Sequence, residues 1–165
     1  MNPQANFRDT RSFVSTAMIA GTTSSYTTTV TSAGVVNGKF ATALTAQTNT
    51  ATPTTDANTS AAFNALSANK TCALVLGLTV AGVIQMVQGP IIDTRVGVTT
   101  TVGAFDKAPQ FPPLPDNFMP LAYTLVRTAP DAAAWTPGTS SWTASGVSAT
   151  TFQNISTLPN RPQIS

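Results

Sequence analysis

The groups in this chain that could carry acid–base, nucleophilic or metal chemistry are six aspartates, three lysines and one cysteine, because it contains no histidine and no glutamate. Histidine is the side chain that titrates near neutral pH, and glutamate is the other usual acid, base or ligand. Asp93 and Asp106 could supply a carboxylate pair, but glycoside hydrolysis needs two carboxyls at fixed separation and nothing in the spacing brings these together. A serine nucleophile would have only lysine as its base, and no Gly-x-Ser-x-Gly elbow occurs. Gly34-Val-Val-Asn-Gly-Lys39 has the outline of a phosphate loop, yet its glycines are misplaced and Phe40 stands where Ser or Thr belongs. Calcium needs several acidic ligands at alternating positions, which no loop supplies. Cys72 is alone, so it forms neither an internal disulfide nor a cysteine metal set, and its apolar surroundings make it a small core hydrophobe. The expectation is a protein that is not an enzyme, with no cofactor, no metal and no small-molecule substrate. Trp135 and Trp142 have two readings, as core anchors of a hairpin or as exposed platforms for sugar or protein.

Composition points the same way. The 165 residues are 42% hydrophobic and only 8% charged, against about 25% charged in an ordinary soluble domain. A chain of this length can bury close to two-thirds of its unfolded surface. Thirty threonines and 24 alanines imply a folded body with a polar but uncharged exterior. Such a surface is poorly protected against association, which suits a crowded assembly. Net charge is only +2 and the cations are scattered singly, so no nucleic-acid footprint forms. No stretch approaches the ~20 apolar residues of a membrane span. Residues 13–20 faintly mimic a signal peptide, but the apolar part is short and Asp9 intrudes. Asn58-Thr-Ser, Asn69-Lys-Thr and Asn154-Ile-Ser match the glycosylation acceptor pattern, as chance allows in a chain so rich in Thr and Asn.

The elements that must position these residues read as strands. Residues 1–25 form an N-terminal arm, and residues 26–157 an all-β single domain, a β-sandwich or jelly-roll-like barrel with at most one short helix. Residues 158–165 form an extended tail with two prolines. Asn37-Gly38 is a hairpin turn, with Phe40, Thr42, Leu44 and Ala46 on one strand face. Residues 47–60 read as a polar loop, and Ser60 as the cap of a short helix over residues 61–68 that buries Phe63 and Leu66. Residues 71–78 are apolar on both alternating faces, so this strand is buried on both. Residues 91–102 read as one or two strands with a possible bulge at Gly97. Residues 109–116 are proline-rich and extended, residues 121–127 alternate as a strand, and Trp135 and Trp142 flank a Pro137-Gly138 turn.

Several segments together resemble small accessory structural virion proteins of tailed bacteriophages: Val36-Asn-Gly-Lys-Phe-Ala-Thr-Ala-Leu, Ala68-Asn-Lys-Thr-Cys-Ala-Leu-Val-Leu-Gly-Leu, Ala108-Pro-Gln-Phe-Pro-Pro-Leu-Pro-Asp, Tyr123-Thr-Leu-Val-Arg and Thr157-Leu-Pro-Asn-Arg-Pro-Gln. The likeness is one of style and segment order and spans residue 26 to the C-terminus. It implies a β-rich protein in many copies, decorating the head as a cement protein or belonging to a tail, baseplate or fibre. One body with extended ends favours a capsid exterior, bridging the major capsid protein and copies of itself as dimer or trimer. No repeat or fibre stem is visible. The candidate contact residues are Phe7, Phe13, Met18 and Ile19 in the arm, Phe111 among the prolines, Trp135 and Trp142, and Ile164 in the tail. A carbohydrate-binding or adhesin module using the two tryptophans is the rival expectation.

Overall fold

The computed structural model describes residues 10–149, 151–159 and 162, which form an all-β fold with no helix among them. The first strands are β1 (Arg11–Ser12), β2 (Met18–Ala20), β3 (Ser25–Thr28), β4 (Gly34–Val36), β5 (Lys39–Phe40) and β6 (Gln47–Ala51). The rest are β7 (Lys70–Leu78), β8 (Ile84–Gln88), β9 (Ile92–Asp93), β10 (Met119–Thr128), β11 (Val147–Ala149) and β12 (Gln153–Asn154). They make three antiparallel sheets. Two are small, with orders β1-β4-β5 and β2-β3-β6. The third follows the path β11-β10-β7-β8, with β9 also on β7 and β12 also on β10.

The β7–β10 ladder is the centre because both strands are apolar on both faces, so each face must be covered. On one side Leu74, Leu76 and Leu78 pack with Met18, Tyr26, Val36, Trp135 and Trp142 from the rest of the chain. On the other, Val75, Val87, Phe118 and Tyr123 lie beneath Phe111, Leu114, Ile155 and Leu158. Each fully buried leucine stabilises the fold by roughly 1.5–3 kcal/mol relative to exposure. The proline-rich segment is therefore a lid over the second face, with Phe111 edge-on to Tyr123 at 4.9 Å. Pro120 adds a detail of register: a proline cannot donate to a ladder, and the β7–β10 pairing shifts between Pro120 and Ala122. Gly77 opposite it has no room for a Cβ, which would strike the Phe118 ring and the Met119 carbonyl.

The Asn37-Gly38 turn forms as expected, with φ of 51° and 75°. Other expectations need correction. Residues 61–68 are extended, not helical. Asp56 holds the preceding turn, where its Oδ1 accepts from Asn58 N at 2.8 Å and Thr59 N at 3.3 Å, and Ser60 sits at φ 58° instead of capping a helix. Leu66 then exchanges two backbone bonds with Trp135, at 2.8 and 2.9 Å. Phe63 and Leu66 are buried all the same. Residues 47–51, expected in a loop, are β6, because the Thr27 and Thr28 hydroxyls each accept a β6 backbone N–H at 3.0 Å. A bulge with Asn49 at φ 48° accommodates them. Residues 42–46 do not continue β5.

Residues 11–20, expected in an arm, are instead paired into two sheets. Ser12 N donates to Ser156 O at 3.1 Å. The Asn154 side chain completes the hold on β2: its Oδ1 accepts from Met18 N at 2.6 Å and its Nδ2 donates to Met18 O at 3.2 Å, as a neighbouring strand's backbone would. Most of the tail, including residues 163–165, lies outside the described residues.

Candidate interaction surface

Phe7 and Ile164 lie outside the described residues. The other expected contact residues separate into two groups. Met18, Trp135 and Trp142 are buried in the core, and Trp142 also borders a pocket of about 260 Å³ with Ile19 and Phe152. Trp135 and Trp142 lie 5.4 Å apart, and Phe152 meets Trp142 edge-on at 5.5 Å. Each indole N–H is used inside: Trp135 Nε1 donates to Ser141 O at 2.8 Å, and Trp142 Nε1 to Ser25 O at 2.9 Å. The hairpin expected to hold them is only a turn. Trp135 bonds Leu66, while Trp142 N reaches Thr23 O at 3.0 Å. Rings that are only 1% and 4% exposed offer no open face for a sugar to stack on. Phe111 is half-buried, edge-on to Tyr123.

Phe13 and Ile19 are exposed. Ile19 belongs to β2, where alternation turns Met18 inward and Ile19 outward. Phe13 belongs to a larger surface. In the β1-β4-β5 sheet, Arg11 pairs with Val35 and Val35 with Phe40, while Phe13 N donates to Ala33 O at 2.9 Å. Arg11, Phe13, Val35 and Phe40 therefore share the outer face, whereas Ser12, Gly34 and Val36 face the core. Phe13 is 50% and Phe40 80% exposed, with their rings 6.2 Å apart. The Arg11 guanidinium sits 5.9 Å from the Phe13 ring centre. The sequence reading missed Phe40 as a contact residue, although the signal was there. In a two-residue hairpin Phe40 must pair with Val35, and Val36 is the residue that turns inward.

The other side of the same hairpin borders a groove of about 450 Å³ lined by Val36, Asn37, Lys39, Val80 and Asn117. Asn117 Oδ1 accepts from Val80 N at 3.0 Å. Asn37 Nδ2 donates to Asp116 O, which ties the turn to the proline-rich lid.

A second exposed region lies at residues 92–107. Bridges Thr94–Phe105 and Val98–Thr101 make a narrow finger with exposed Val96 and Val98. Gly97 is a stem residue and not a bulge, since a Cβ there would strike Thr101 O and one on Gly103 would strike Arg95 O. Arg127 braces the stem: Nη1 donates to Gly103 O at 3.1 Å, and the guanidinium stacks on Phe105 at 4.7 Å. Desolvation lowers the Arg127 pKa from its ordinary value. Lys70 pairs with Asp93 at 2.5 Å and Arg95 with Asp106 at 3.9 Å. The hydrogen bond and charge of Lys70 lower the Asp93 pKa. Asp93 and Asp106 thus each face a cation, and no carboxylate pair forms.

Cys72 is buried, and desolvation pushes its thiol up to about 12. Among the described residues, no three His, Cys, Asp or Glu come together as a metal set. No family model, curated protein or solved structure matches the chain.

Proposed function

We propose that this chain is a structural virion protein of a tailed bacteriophage, bound to the capsid exterior as a decoration or cement protein. It acts by contact area and not by chemistry. The observation that carries this reading is the outer face of the β1-β4-β5 sheet, where Phe13 and Phe40 stand exposed on a body of very low charge. Monomeric proteins rarely leave such aromatic pairs in water without a partner. Its partners are the major capsid protein and further copies of itself, and symmetry would repeat interfaces of roughly 800 Å² per partner around the shell.

Density for the chain in a cryo-electron-microscopy map of the particle tests this. Copies on the outside of the head in numbers comparable to the capsid protein are the expected result. A few copies confined to the tail would assign it to tail or baseplate, and absence from particles would sink the reading. Salt offers a second measure, because few charges mean weak screening. Release from heads by ionic strength alone would refute attachment through apolar area.

A further inference from the structure

We infer that the open edge of β5 receives an extended, acidic segment of a different protein, laid beside Phe40 as an added strand whose apolar and carboxylate side chains alternate. This deepens the proposed contact role and rests on it. In the order β1-β4-β5, the far side of β1 is closed by the Ser12–Ser156 bond, which leaves β5 at the boundary. Ala41 N donates to Gly34 O at 2.9 Å, so alternation turns the Phe40 N–H and C=O outward. Two residues on, Thr42 N donates to Val80 O at 2.8 Å and ends the open stretch. One residue's pair of backbone groups fixes register, and the side chains must carry most of the affinity.

Those side chains meet two different environments. Successive residues of an added strand point to opposite faces. One set lies over Phe40 and Phe13, where apolar groups fit. The other enters the groove holding Lys39 and Asn117. The Asn117 oxygen is engaged by Val80 N, so its amide meets a ligand as a donor. An ammonium beside an amide donor suits a carboxylate.

A second copy of this chain is the wrong occupant. It has a net charge of +2 and no glutamate, its Asp93 and Asp106 face its own Lys70 and Arg95, and its exposed Asp116 and Asp131 stand singly, so the sequence holds no run in which acidic and apolar residues alternate. Pairing two β5 edges would set cation against cation. A lysine on a short edge normally blunts pairing. Here it selects by charge, refusing a copy and accepting an acidic strand.

The test titrates the ¹⁵N-labelled full chain with capped heptapeptides, one alternating valine with glutamate and one alternating valine with lysine. The glutamate peptide is expected to shift amides of residues 11–14, 35–42, 80 and 117 to saturation, and the lysine peptide to leave them unmoved. Phe40→Thr and Lys39→Gln, both on exposed side chains, should each weaken binding by about tenfold while the tryptophan fluorescence stays native. N-methylation of alternate peptide residues should weaken binding in one register and spare it in the other. Equal response to the lysine peptide, shifts elsewhere, no saturable shift, or indifference to N-methylation would each overturn the inference. Sedimentation showing self-association that Phe40→Thr abolishes would assign the edge to a second copy and overturn it too. A chain found on particles that ignores both peptides loses only this edge assignment. A chain that binds the glutamate peptide but is absent from particles loses only the virion reading.

Discussion

The finger at residues 92–107 and the outer face of the β1-β4-β5 sheet both expose large apolar side chains, yet they treat their polar groups in opposite ways. The finger turns its charges inward on the chain: Lys70 on Asp93, Arg95 on Asp106, Arg127 on Gly103 and Phe105. The sheet face keeps an exposed aromatic pair, a lysine on its far side and one residue's backbone groups at an open edge. Exposure alone therefore does not mark a contact site. Among the described residues, what distinguishes the sheet face is recognition capacity that the rest of the fold does not consume, and this is why the finger carries no assignment.

The comparison can be broken most severely from the core. Trp142→Ala should destabilise the protein by about 3–5 kcal/mol, the usual range for removing a buried tryptophan. Both regions rest on the β7–β10 ladder, so hydrogen exchange in residues 95–104 and 34–41 should collapse together across a urea series. Separate transitions would show that the two regions are independent units.

Alkali probes the same core. The folded Cys72 pKa is raised from 9.0 to about 12, so its stabilising contribution is complete below pH 9 and is lost as pH climbs from 9 towards 12. Tyr26, also raised by desolvation, adds to the loss in the same direction. Urea midpoints measured at rising pH should fall over that window. At pH 8 an aromatic disulfide reagent should label Cys72 only as fast as the protein opens, and rapid stoichiometric labelling would contradict its burial.

Arg127→Met should cost about 1–2 kcal/mol, from one lost hydrogen bond and a cation–π contact. Its main effect should be local: faster exchange in the finger with residues 34–41 unchanged. Loosening of both would erase the distinction between the regions. Smallest of all, Phe40→Thr should shift stability by no more than about 0.5 kcal/mol, since an 80% exposed ring contributes little to the fold. A larger loss would mean that Phe40 supports structure and not a partner.

How much of this could be read from sequence depended on whether the determining interaction was local. β7 was legible because its own residues are apolar on both faces, β10 because residues 121–127 alternate, and the type I′ turn because Asn37-Gly38 carries its backbone preference with it. The extended course of the proline-rich segment was legible because prolines fix their own backbone, but its place as a lid over Tyr123 was not. Residues 61–68 misled because Ser60 is a good cap, but Ser60 takes φ 58°, Gln88 Oε1 captures Asn64 N and Trp135 captures Leu66. β6 misled because Thr27 and Thr28, about twenty residues away, supply its partners. Trp135 and Trp142 were legible as core anchors, one of their two readings, whereas Met18 misled as a contact residue because burial depends on which strand lies opposite. The sheet-face site was half legible: Phe13 was found, while Phe40 required pairing parity that only the turn specifies.

The Asn154 side chain that stands in for a strand beside β2 also imposes an order of events. Asn154-Ile-Ser is an acceptor sequence for sugar. Its Nδ2, the atom a glycosyltransferase would modify, is committed to the Met18 carbonyl, and its Oδ1 to Met18 N. Attachment at this position could only precede closure of the chain around β2, and a glycan placed there would hold that seam apart. Finished protein exposed to a glycosylating host should therefore stay unmodified at Asn154, whatever happens at Asn58 on the surface.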